Sequence, residues 1–140
     1  MTDTAPRPAP LVAIVDDELD IVTYLQLALE DHGYRVCTAT ESSTAMQKVI
    51  AAGPDIVCLD LLMPKHTGMA LYAEIVRHPD LRNCPVLIMS GLTRKEDLPK
   101  LLEEAGGLPV PACFLEKPIR IEQLLEALRD HVGPAGGTAT

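Results

Sequence analysis

Short apolar runs alternate along this chain with longer segments in which apolar residues recur every three or four positions. The first pattern predicts strands and the second amphipathic helices. Strands are expected over 11–15, 34–39, 55–60, 85–90 and 112–116, each bounded by Gly, Pro, Asp or Asn. A first helix is expected over Leu19 to His32, with Val22, Leu25, Ala28 and Leu29 on one face and Gly33 as its stop. A second, Ser42 to Ala52, starts at the hydroxyl cluster Ser42-Ser43-Thr44 and stops at Gly53-Pro54. A third runs from Gly68 to His78, ahead of Pro79, and a fourth from Arg94 to Ala105, ahead of Gly106-Gly107. Pro99 falls inside the fourth, so its first turn is expected to be irregular. The fifth, Ile121 to Val132, carries Leu124, Leu125 and Leu128 on one side.

Alternation of this kind predicts an α/β fold, a parallel sheet with helices on both faces. Most of the strands are continuously apolar, as doubly covered parallel strands must be. Right-handed crossovers leave few topologies, and the doubly wound five-stranded order 2-1-3-4-5, as in flavodoxin-like folds, leads them. In that order the chain turns back between strands 1 and 3, and ligands bind at such a point, beyond the carboxyl ends of the strands.

The residues at those ends change the picture from fold to chemistry. Val12 to Val15 leads into Asp16-Asp17, Ile56 to Leu59 into Asp60, Val86 to Met89 into Ser90, and Cys113 to Leu115, after Glu116, into Lys117-Pro118. Asp16, Asp17 and Asp60 would meet at the gap between strands 1 and 3. Three crowded carboxylates do not all stay ionised cheaply without a cation. A hard divalent ion such as Mg²⁺, which takes one or two carboxylates, waters and phosphate oxygens, relieves the repulsion. Asp60 can then act as a nucleophile on phosphorus, with Lys117 neutralising the transferring group and Ser90 donating to one of its oxygens.

Composition narrows the partners. The apolar share of 47% over 140 residues suits one domain with a real core. The formal net charge of −8 and the lack of any basic run argue against binding nucleic acid through its phosphates. Residues 1–10 contain no apolar h-region and no run is long enough to span a bilayer, so neither export nor a membrane anchor is expected. Cys37, Cys58, Cys84 and Cys113 form no CxxC pair and read as reduced thiols of a cytoplasmic protein. His32, His66, His78 and His131 lack metal-ligand spacing.

Four pieces together carry a resemblance: Val15-Asp16-Asp17-Glu18, Asp60-Leu61-Leu62-Met63-Pro64 with Gly68 after it, Met89-Ser90-Gly91, and Phe114-Leu115-Glu116-Lys117-Pro118. In this order and spacing, over Leu11 to Val132, the chain resembles a receiver domain of a two-component response regulator. The resemblance implies that Asp60 is the phosphoacceptor, served by a histidine kinase or a histidine phosphotransfer protein. It implies Mg²⁺ ligation by Asp17, Asp60 and the main-chain carbonyl of Leu62, with Asp16 acting through a bound water. Lys117 would hold the phosphoryl group, and Ser90 with Phe114 would form a switch that repacks the face of helix 4, strand 5 and helix 5 for a downstream protein. The Lys117-Pro118 bond is expected to be cis.

On the same resemblance, residues 11–132 form the receiver, 1–10 a flexible arm and 133–140 a flexible tail, in a monomer or weak homodimer. The tail reads equally as an end or as a linker. Leu62 and Leu92 stand where many receivers carry polar groups that position hydrolytic water, which implies slow self-dephosphorylation. The stretch Gly106-Gly107-Leu108-Pro109-Val110-Pro111 is longer than the usual link into strand 5, and its prolines predict an extended, stiffened loop beside the output face.

Each piece alone has a plainer explanation: Asp16-Asp17-Glu18 as helix-start acids, Asp60 and Ser90-Gly91 as strand exits, Lys117 as a surface lysine. Their convergence on one sheet edge outweighs those readings. A small Mg²⁺-dependent phosphatase with an Asp nucleophile is the alternative, but such chemistry wants a second acid two places on, where Leu62 stands. A flavodoxin-like cofactor binder would need a phosphate loop after strand 1, and the two acids there would repel one.

Overall fold

A computed structural model of the chain describes residues 8–61 and 68–135. Its elements are β1 Leu11–Val15, α1 Leu19–Asp31, β2 Arg35–Ala39, α2 Ser42–Ala52, β3 Ile56–Asp60, α3 Gly68–Arg77, β4 Val86–Ser90, α4 Leu98–Glu104, β5 Cys113–Glu116 and α5 Ile121–Val132. The strands are parallel and ordered β2-β1-β3-β4-β5, the doubly wound arrangement that the alternating pattern predicts. Boundaries shift by a residue at most of the strand starts and at the ends of α1, α3 and α4.

The period of two in each strand sorts the core into two halves. Ala13, Val15, Val57, Leu59, Val86 and Ile88 face α2, α3 and α4. Val12, Ile14, Ile56, Cys58, Leu87 and Met89 face α1 and α5. Every residue of β3 and β4 is buried, because these strands have neighbours at both edges and helices on both faces. β5 is an edge strand, so Cys113, Phe114 and Leu115 are only half-buried. Phe114 packs against the α2/α3/α4 half of the core rather than lying within it.

Helix ends explain themselves locally. Gly53 closes α2 in the left-handed conformation, at φ 62°, where a β-carbon would be strained. The hydroxyl cluster does not cap α2 as expected: its N-cap position is Glu41, and no side chain supplies the capping bond. The irregularity predicted at Pro99 is a 3₁₀ turn over Lys95–Asp97, after which α4 starts with Pro99 in its first turn. There the missing amide hydrogen of proline costs nothing.

The long link into β5 is more than an extended strap. Gly106 and Gly107 both take positive φ, at 108° and 77°, which lets the amide of Leu108 bond back to the carbonyl of Leu102 at 3.0 Å. Leu108 is thereby buried in the core. The hydroxyl of the buried Tyr72 on α3 donates to the carbonyl of Pro109 at 2.6 Å. Tyr34 makes a similar tie, donating to the carbonyl of Gly133 just past α5 at 3.2 Å. At the other end of the chain, Arg35 holds the carbonyls of Ala9 and Pro10 through its side chain and amide, at 2.7 and 3.1 Å.

Candidate functional site

Parallel pairing of β1 with β3 sets Val15 opposite Leu59, so Asp16 and Asp60 leave the sheet side by side. Asp16 is fully buried, Asp60 almost so, and Asp17 is partly open to solvent. Carboxylate oxygens of Asp16, Asp17 and Asp60 lie within 4.8 Å of one another. This donor set of hard oxygens suits a divalent cation such as Mg²⁺, and partial exposure of Asp17 leaves the cluster open to solvent on one side. The carbonyl of Leu62, the remaining ligand implied by the sequence, lies outside the described residues.

Both oxygens of Asp16 have work in the protein itself. Oδ1 accepts from the amide of Glu18 at 3.0 Å and ties down the start of α1. Oδ2 accepts from Lys117 Nζ at 2.8 Å. One side chain thus serves the start of α1 and pairs with Lys117 at the cluster.

Lys117 reaches the cluster from beyond β5, where its amide donates to the carbonyl of Ser90 at 2.7 Å. The Lys117-Pro118 bond is cis, as expected from the resemblance. Its ammonium pairs with Asp16 at 2.8 Å, with Glu18 at 2.9 Å and with Asp60 at 3.5 Å. Burial by itself would lower the Lys117 pKa. Its hydrogen bonds to Asp16 and Glu18, and the charges of Asp16 and Asp60, outweigh burial and hold it above the usual lysine range. Lys117 is therefore a permanent cation at the mouth of the site.

Ser90 ends β4, buried beside Asp60 in the next strand. Its Oγ accepts from the amides of Thr93 and Leu92 at 2.9 and 3.3 Å, folding the chain back after the strand. The hydroxyl hydrogen is left to donate elsewhere. Phe114 sits one strand over, opposite Ile88.

Gly68 shapes the backbone beneath Asp60. Its amide bonds to the carbonyl of Leu61 at 2.8 Å, and a β-carbon there would run into the Asp60 carbonyl and Leu61 Cα. The close approach explains why glycine opens α3.

Sequence reasoning missed the role of Glu18. It directly follows the two acids, and nothing in the sequence pointed to its partner 99 residues away.

A family model for the response regulator receiver domain matches residues 12–129. The chain belongs to that family. Among solved structures this receiver domain is similar to the chemotaxis response regulator CheY4 of Vibrio cholerae. The two are 27% identical, with TM-score 0.76 over 89% of this chain and 99% of that one. It is 34% identical to protein Rrf1 of Nitratidesulfovibrio vulgaris over 56% of this chain and 57% of that protein. It is 28% identical to the transcriptional regulatory protein PrrA of Mycobacterium tuberculosis over 94% of this chain and 54% of that protein. The chain thus spans about half the length of these curated relatives. Receiver domains are signalling modules of two-component systems, and response regulators receive phosphate from histidine kinases. Among the described residues, no helix is long and apolar enough to cross a membrane.

Proposed function

We propose that Asp60 accepts a phosphoryl group from a phosphohistidine of a histidine kinase or a histidine phosphotransfer protein, and that the domain then changes which protein it binds. The observation that carries this reading is the grouping of a nearly buried Asp60 with Asp16, Asp17 and the Lys117 ammonium on one sheet edge. An Asp60 oxygen attacks phosphorus as the phosphorus–nitrogen bond breaks. The histidine nitrogen keeps the electron pair and takes up a proton.

Asp17, Asp60 and the Leu62 carbonyl would hold Mg²⁺, which would supply neutralisation of the developing phosphoryl charge. Asp16 acts indirectly, in keeping with the occupation of both its oxygens by Glu18 N–H and Lys117. Lys117 donates to a phosphoryl oxygen, and Ser90 donates its hydroxyl hydrogen to another. Turning toward the phosphoryl group draws Ser90 Oγ away from the amides of Leu92 and Thr93, which it accepts from in the resting site. The β4–α4 connection then moves, and Phe114 follows into the space vacated. A phenyl ring makes that move without stranding a polar group.

The face of α4, β5 and α5 is the surface so altered, and it carries the signal to a protein partner. The domain is on this reading a phosphoacceptor and not a turnover enzyme. Leu92, exposed and two places after Ser90, and Leu62, two places after Asp60, are both apolar and offer no polar group to orient water on the phosphorus, so the phosphoryl group is lost slowly.

The test is incubation with Mg²⁺ and acetyl phosphate followed by intact mass measurement. Wild type should gain one phosphoryl group and Asp60→Asn none. No gain in wild type, or equal gain in the variant, overturns the reading.

A further inference from the structure

The Lys117 ammonium is shared unequally by three carboxylates. Asp16 and Glu18 hold it at 2.8 and 2.9 Å, whereas Asp60 stands at 3.5 Å. Of the two close partners, Asp16 has a side chain with no exposure and Glu18 one that is 57% exposed. That contrast decides which contact can be given up. Releasing Asp16 would strand a buried charge, whereas Glu18 can exchange an ammonium for water at little cost.

We infer that Glu18 is a positioning residue that restrains Lys117 in the resting site, and that its hold is loosened when the ammonium turns to a phosphoryl group on Asp60. The inference rests on the phosphoacceptor role proposed above for Asp60. Asp16 is the fixed anchor of Lys117, and Glu18 is its releasable one. The side chain of Glu18 therefore sets how much of the attraction between Lys117 and an incoming phosphoryl group is spent on breaking an existing pair. Its position on the rim also makes it the contact that a docking partner can reach.

The size of the effect follows from exposure. A pair with one partner this open is worth up to about 1 kcal/mol, or about fivefold in a rate or affinity. Glu18→Gln removes the charge, keeps the length of the side chain and changes an exposed position. It should raise the rate constant for phosphorylation by acetyl phosphate, at saturating Mg²⁺, by about two- to fivefold.

Two companions separate release of Lys117 from mere loss of negative charge near an anionic donor. Asp20→Asn removes a charge from the same exposed first turn of α1 without touching Lys117, and its rate should stay within about 1.5-fold of wild type. In a Lys117→Met chain, adding Glu18→Gln should leave the rate where Lys117→Met alone puts it.

An unchanged or slower rate in Glu18→Gln, with wild type phosphorylated normally, overturns the inference and leaves the role of Asp60 standing. So does an equal gain from Asp20→Asn, or a gain that persists without Lys117. Failure of wild type to take up phosphate removes the role of Asp60 and this inference with it.

Discussion

Replacing Lys117 by Met should destabilise the domain in a way that Mg²⁺ repairs. Methionine matches the length of the lysine stem but leaves Asp16, Asp17 and Asp60, whose oxygens lie within 4.8 Å of one another, without their ammonium. Breaking a buried pair from one side costs about 3–5 kcal/mol. Two features reduce that here: Asp16 keeps the Glu18 amide at 3.0 Å, and the site opens to water at Asp17 and Glu18. A loss of about 2–3 kcal/mol in EDTA is expected, a fall in Tm of about 8–12 °C for a domain of this size. A divalent cation bound only by the folded state supplies the missing positive charge and adds its own linkage stabilisation. At saturating Mg²⁺ the deficit relative to wild type should shrink by at least about half.

Urea unfolding followed by circular dichroism, at pH 7 with EDTA or with Mg²⁺, measures both quantities. Equal deficits with and without Mg²⁺, or no deficit in EDTA, would refute the view that Lys117 is the cluster's own counter-ion.

Three further outcomes are expected. Gly68→Ala places a β-carbon against the Asp60 carbonyl and Leu61 Cα, so it should cost about 2–3 kcal/mol in urea unfolding and displace Asp60 enough to slow its phosphorylation; a variant as stable and as reactive as wild type would contradict that packing. Tyr72→Phe removes the 2.6 Å bond to the Pro109 carbonyl and should cost about 1 kcal/mol, with faster amide exchange confined to residues around Leu108 as the local readout. Burial pushes the Cys58 thiol up to about 12, so in the folded protein at pH 8 it should resist iodoacetamide for as long as Asp60→Asn or wild type stays folded; prompt alkylation followed by peptide mapping would contradict its place in the core.

What sequence could show was whatever depends on period and on residue type. Uninterrupted apolar runs such as Ile56 to Leu59 can be satisfied only between two helical layers, so they specified a parallel sheet, and the ends of those runs located Asp16, Asp17, Asp60, Ser90 and Lys117. Glycine and proline were equally readable where one steric reason governs them, as at Gly53 and Pro99. Phe114 was harder: it lies in an apolar run, but β5 is at the sheet edge and leaves the ring half-buried.

Three features were decided only when the chain folded. Whether Lys117 serves one acid or several depends on Angstrom-scale approach between residues a hundred positions apart, and its pairing with Glu18 has no periodic signature. The need for glycine at position 68 arises from contact with the backbone of Asp60, which no local preference for turn or helix announces. The anchoring of the loop before β5 by Tyr72 and Leu108 is likewise a property of surfaces brought together. Sequence alone determined the architecture and the kinds of group on its working edge, because these follow from local steric and hydrophobic rules. Tertiary structure alone decided which charges share a proton-bearing partner, because Coulomb and hydrogen-bond energies depend on separations that only packing sets.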